Sequence, residues 1–110
     1  MILVIGGQAQ GKGAYVKEHY GQSGRPVFSD FHLWVRNRLS EGGNPEQEIL
    51  EYVDNHRDCI IISDEVGNGI VPIDAFEREY RERTGRLLVE LARNADEVVR
   101  VLCGIGQRIK

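Results

Sequence analysis

The chain predicts an α/β fold: three layers around a mostly parallel sheet, with an antiparallel hairpin at one edge near the C-terminus. Three observations carry this. Apolar runs of strand length, rich in β-branched residues, stand at 2–5, 59–62 and 98–103. Stretches of helical period separate them, the alternation that builds a parallel sheet with helices on its faces. After the last run, Gly104-Ile105-Gly106 turns the chain, and 107–110 can return as a short edge strand.

Length and charge narrow the function classes. The 110 residues suit one domain with one modest core. A net charge of −3 with no cluster of Lys or Arg argues against nucleic acid as the main partner. No apolar run approaches a membrane span, and the one at the N-terminus is too short for a signal peptide. Cys59 and Cys103 lie in or beside apolar strand-like runs, so the expectation is a cytoplasmic protein with reduced, buried thiols. No Cys/His cluster has metal-ligand spacing.

The elements follow in order. The run Ile2-Leu3-Val4-Ile5 is a buried strand that stops at Gly6-Gly7. Gln8, Ala9 and Gln10 lead to Gly11-Lys12-Gly13, where a helix begins and runs to about 20, closed by Gly21. The spacing Gly6-x4-Gly11-Lys12 between strand and helix is that of a phosphate-binding loop. Glycines let amide N–H groups converge on one concavity, and the helix N-terminus adds partial positive charge. Lys12 supplies a point charge for β- and γ-phosphates. The next position ordinarily carries a hydroxyl that binds Mg²⁺; here it is Gly13. The sheet is therefore expected to be of the phosphate-loop NTPase (RecA-like) type. Residues 6–13 (Gly6, Gly7, Gln8, Ala9, Gln10, Gly11, Lys12, Gly13) form the candidate nucleotide site.

A polar turn at 22–26 precedes a short strand at 27–28. The helix at 31–39 has Ser29 or Asp30 as N-cap and offers Phe31, Leu33, Trp34, Val35 and Leu39 to the core. Asn44 caps the next helix, 45–55, with Pro45 in its first turn and Ile49, Leu50 and Val53 on its apolar face. The strand at 59–62 ends in Ser63-Asp64-Glu65. Four apolar residues and then Asp resemble a Walker B element, so Asp64 is the candidate Mg²⁺ ligand and Glu65 the acid that orients or deprotonates a nucleophile. A glycine-punctuated loop follows at 66–72, where ligands sit in open α/β sheets. The long helix from 73 or 74 to 94 opens on Asp74 and Glu77 and buries Phe76, Tyr80, Leu87, Leu88, Leu91 and Ala95. Its other face, with Arg78, Glu79, Arg81, Glu82, Arg83 and Arg86, is expected to be mostly solvated, with Arg78 and Arg81 candidates to reach phosphate or a neighbouring subunit. Gly85 in mid-helix suggests close backbone approach.

These pieces together resemble the adenosylcobinamide kinase / adenosylcobinamide-phosphate guanylyltransferase family of cobalamin biosynthesis. The resemblance rests on MILVIGGQAQGKG at the N-terminus, DEVGNGIVP at 64–72, YRERTGR at 80–86, ADEV at 95–98 and GIG at 104–106. It implies transfer of a phosphoryl group from ATP or GTP, with Mg²⁺, to a hydroxyl of cobinamide. It also implies a nucleotide contact at Asp30 and a trimeric assembly. The chain departs from the family in three places. It is shorter between the first helix and the strand at 27–28, where the family carries the histidine that becomes guanylylated; neither His19 nor His32 sits in that context. Gly13 replaces a Ser, and Leu88 stands for an Asn. The resemblance thus implies a kinase-like protein without the guanylyltransferase step, or a non-catalytic relative that binds nucleotide or corrinoid.

Overall fold

The computed structural model describes residues 1–66 and 74–110. The expected loop at 66–72 falls outside them except for Val66, which packs against the core. Along the chain the elements are β1 (Ile2–Gly6), α1 (Lys12–Tyr20), β2 (Val27–Phe28), α2 (Phe31–Ser40), α3 (Pro45–Asn55), β3 (Ile60–Asp64), α4 (Ala75–Asn94), β4 (Glu97–Leu102) and β5 (Ile105–Arg108). The five-stranded sheet has the order β2-β3-β1-β4-β5. Its first four strands are parallel, and β5 pairs antiparallel with β4. The predicted three-layer α/β architecture with its edge hairpin is what forms.

Strand alternation sorts the core into two halves. Leu3, Ile61 and Val98 face one side and pack against Phe31 and Val35 of α2, Ile49 of α3, and Tyr80, Leu87 and Leu91 of α4. Ile2, Val4, Ile60, Ile62, Val99 and Val101 face the other, where α1 contributes Val16, Tyr15 and Tyr20. Phe28, Phe31, Trp34 and Tyr52 form an aromatic cluster under α2, with Trp34 5.4 Å from Phe28 and 5.7 Å from Phe31 between ring centroids. Leu33 and Leu50, expected in the core, are 48% and 42% exposed: each lies on its helix's outer arc, away from the sheet.

Arginine forks join the helices of the larger layer. Arg38 Nε and Nη2 lie 2.9 and 2.8 Å from the Glu48 carboxylate oxygens, linking α2 to α3. Arg83 Nε and Nη2 grip Glu46 at 2.8 and 2.7 Å, linking α4 to α3. Arg83 is therefore not part of a merely solvated face. Among the described residues a Cβ at Gly85 would meet nothing within 4 Å, so the expected close backbone approach is not found among them.

The helix ends add detail. Asn44 accepts from the Gln47 amide and Asp74 from the Glu77 amide, as their spacings predict. Asp30 occupies the N-cap position of α2, but its φ of 53° aims the side chain away and it makes no capping bond; its backbone oxygen accepts from Leu33 and Trp34 instead. The final turn is tighter than expected. Cys103 and Gly104 form it, at φ 51° and 75°, and β5 already begins at Ile105. Two successive left-handed residues are the geometry of a two-residue hairpin turn, and they cost about 1–2 kcal/mol at a non-glycine position. This turn carries Cys103 into solvent, which corrects the expectation of a buried thiol; Cys59 is fully buried. Among the described residues no helix is long and apolar enough to cross a membrane.

Burial pushes the Cys59 thiol above its ordinary pKa, so it holds little reactive thiolate near neutrality. A thiol reagent should therefore label Cys103 rapidly in the native protein and Cys59 only after denaturation; mass spectrometry of the two peptides reads this directly. The Arg83 hydrogen bond depresses the Glu46 carboxyl. A depressed folded-state pKa stabilises the fold above the ordinary carboxylate range and loses that contribution as pH falls through the folded value. Glu46→Gln should thus lower the urea midpoint at pH 7, with the gap to the parent closing as pH falls from about 5 towards 3.

Candidate functional site

Parallel pairing of β1 with β3 sets Gly6 opposite Asp64, so the candidate loop and the candidate acid leave the sheet side by side at its carboxyl end. A Cβ at Gly6 would stand 2.5 Å from the Val101 carbonyl oxygen, which explains glycine at the end of β1. Residues 7–11 then make a compact turn, with Ala9 at φ 56° and Gly11 at φ 89°. The amides of residues 8–14 donate to no described protein acceptor; the first helical bond runs from the Tyr15 amide to the Gly11 carbonyl at 2.9 Å. These donors, at the start of α1, are what an oxyanion would use.

Lys12 is 8% exposed and folds back under the loop. Its Nζ donates to the Gly7 carbonyl at 2.6 Å and lies 2.6 Å from Asp64 Oδ1. The other carboxylate oxygen, Oδ2, is 3.3 Å from His32 Nε2, and the Asp64 amide donates to His32 Nδ1 at 3.1 Å. With Nδ1 accepting, the neutral ring carries its proton on Nε2, the nitrogen 3.3 Å from the carboxylate. Asp64 thus lies between two nearly buried groups, the Lys12 ammonium and the His32 ring.

A pocket of about 660 Å³ opens over this arrangement. The loop residues Gln8, Ala9, Gln10, Gly11, Lys12 and Gly13 form one wall, and Ser29, Asp30, His32 and Leu33 the other, with Ile62 and Asp64 between them. Asp30 is exposed at the rim in its left-handed conformation. Arg78 and Arg81 do not line this pocket. Neither does Glu65: its amide donates to the Gly6 carbonyl at 2.8 Å, and Arg100 on β4 grips its carboxylate, Nε to Oε1 at 2.8 Å and Nη2 to Oε2 at 3.2 Å. A second hollow, of about 540 Å³ between α3 and α4, lies at the amino ends of the strands, where open α/β sheets do not place ligands.

The residues suit a Mg²⁺ ion sparingly. Among the described residues no three acidic, His or Cys side chains converge as a metal cage. Asp64 nonetheless presents a carboxylate to the pocket, and Mg²⁺ commonly takes one or two carboxylates with substrate phosphates and waters. A single Asp64 ligand fits that chemistry. Gly13 adds none, although among the described residues a Cβ there would meet nothing within 4 Å.

Sequence reasoning missed His32 and Arg100. His32 stands in a helical pattern with no chemical motif around it, and only the fold brings it to Asp64. Arg100 sits in a strand, and the one available signal was a charged residue interrupting an apolar run.

The family described as "Cobinamide kinase / cobinamide phosphate guanyltransferase" matches residues 22–109. The bifunctional adenosylcobalamin biosynthesis protein CobU of Salmonella typhimurium is 45% identical over 51 residues, and that of Escherichia coli is 43% identical over 51. Each alignment takes in 46% of this chain and only 28% of the relative's length.

The two loop glycines should respond oppositely to substitution. Gly11→Ala forces a left-handed residue against Gly104 Cα, 3.2 Å from the new Cβ, and should cost about 1–2 kcal/mol. Gly13→Ser enters open space in the first helical turn and should be neutral or stabilise by up to about 0.5 kcal/mol. Urea denaturation of both variants measures the difference.

Proposed function

This chain belongs to the cobinamide kinase / cobinamide phosphate guanyltransferase family, and from that premise we propose a kinase-like protein of cobalamin biosynthesis that moves the γ-phosphoryl group of ATP or GTP onto a corrinoid hydroxyl. The observation that carries the reading is the run of unclaimed amides at 8–14, with Lys12 beneath it and Asp64 beside it. Nucleotide phosphates would take those donors, with Gly6 and Gly7 giving the backbone room to turn. Asp30, across the pocket, supplies a carboxylate for a ribose or base donor.

Asp64 is the counter-charge of Lys12. A phosphate arriving over the loop replaces it, and Lys12 turns to the β- and γ-oxygens. Asp64 keeps its His32 contact and turns its freed oxygen to the pocket, where it would hold Mg²⁺. That ion, when bound, offsets the charge developing on the phosphates. The acceptor hydroxyl oxygen attacks the γ-phosphorus while the bond to the bridging oxygen of the diphosphate breaks. The hydroxyl proton passes to Glu65, which must first leave Arg100. Positioning and charge supply most of the rate.

The guanylyltransferase step is proposed to be absent. The connection between α1 and β2 occupies only residues 21–26 and holds no histidine, and the ring of His32 offers a protonated Nε2 rather than a free lone pair. Cytoplasmic location, a trimeric assembly and the absence of a nucleic-acid partner complete the proposal. A second reading, a nucleotide- or corrinoid-binding protein without turnover, is favoured by Gly13 and by the Arg100 grip on Glu65.

Calorimetry with ATP and GTP, followed by incubation of each labelled nucleotide with cobinamide and Mg²⁺, separates the readings. Binding with a phosphorylated corrinoid supports the kinase. Binding without product supports the second reading, and a protein that binds neither nucleotide nor cobinamide in the same calorimetry removes both. Lys12→Ala should weaken nucleotide binding roughly tenfold to a hundredfold, the range for losing a charge-assisted contact.

A further inference from the structure

Resting on the phosphate-loop reading, we infer that the β4–β5 turn is part of the phosphate cradle and that Gln10 is the positioning residue joining the two. The turn lies more than ninety residues away in sequence, yet both of its amides are spent on Gln10. The Cys103 N–H donates to Gln10 Oε1 at 2.7 Å. The Gly104 N–H donates to the Gln10 carbonyl oxygen, also at 2.7 Å. Cys103 holds a left-handed φ of 51° to make this aim possible, and Gly11 and Gly104 are near enough that a Cβ on the first would stand 3.2 Å from the Cα of the second.

The consequence for the loop follows from peptide planarity. The carbonyl of Gln10 and the amide of Gly11 belong to one rigid plane and point in opposite directions. Committing the carbonyl to the hairpin turn fixes the Gly11 N–H facing away from it. That amide and its neighbours from 8 to 14 have no described protein acceptor. The hairpin thus sets the orientation of the loop before any ligand arrives, and Gln10's side chain reinforces the same latch through Cys103. Latching of this kind acts on binding, because a loop oriented by the protein's own hydrogen bonds leaves less ordering to be done when phosphate binds.

Only an acceptor is required at Gln10 Oε1, which makes the latch separable from side-chain bulk and charge. Gln10→Met keeps the length and removes the acceptor; Gln10→Glu keeps the acceptor. Three measurements on the full chain decide the matter: amide hydrogen exchange at Cys103, affinity for inorganic pyrophosphate and for ATP and GTP by calorimetry, and the urea unfolding midpoint. Gln10→Met should lose protection at Cys103 and weaken pyrophosphate roughly threefold to tenfold, the worth of one hydrogen bond, with little change in midpoint. Gln10→Glu should keep Cys103 protected. A parent protein whose Cys103 amide exchanges freely overturns the latch. So does a Gln10→Met variant that loses protection yet binds pyrophosphate as tightly as the parent. A parent that protects Cys103 but binds neither pyrophosphate nor nucleotide defeats the phosphate reading itself, and with it the role assigned to the turn.

Discussion

The parallel register between β1 and β3 is the constraint on which the site depends. It brings Gly6 and Asp64 opposite one another, so the loop and the acid start from adjacent strand ends. A slip of one residue would turn every side chain of β3 to the other face and send Asp64 away from the loop. The register is secured from both sides of the sheet: Leu3 and Ile61 are locked into the core under α2, α3 and α4, while Val4 and Ile62 pack beneath α1. The chemistry at the rim inherits its placement from apolar packing several residues below it.

The Lys12–Asp64–His32 arrangement is the electrostatic counterpart of that placement. Removing one member of a buried ion pair generally leaves an uncompensated charge, at a cost of about 3–5 kcal/mol. Lys12 is almost wholly buried and Asp64 only partly so, so the penalty falls mainly on the lysine if its partner leaves. Under the proposed function, a phosphate entering over the loop would offer Lys12 a replacement anion while the His32 ring stays beside the carboxylate.

Local chemistry made the central part of the fold and the loop legible. The strand at 2–5, the glycine spacing after it and the acid closing β3 all announce themselves within a few residues. Other features depend on meetings between distant segments. Cys103 reads as the end of an apolar strand, and only the two-residue turn puts it in water. His32 gains its significance from Asp64, and Glu65 acquires Arg100 because β4 lies beside β1. Leu33 and Leu50 are apolar residues at helical spacing whose exposure is decided by how far each helix is rotated against the sheet. Periodicity alone leaves that rotation open.

The aromatic cluster under α2 has an optical consequence. Trp34 is the sole tryptophan of the chain, and it sits one helical turn from Asp30, with Leu33 of the pocket wall as its immediate neighbour. Its indole is wedged between Phe28 and Phe31, half shielded from solvent. Any tightening of α2 toward the loop changes the surroundings of that one chromophore. The protein thus carries an intrinsic emission probe beside its candidate site, free of the background that a second indole would add.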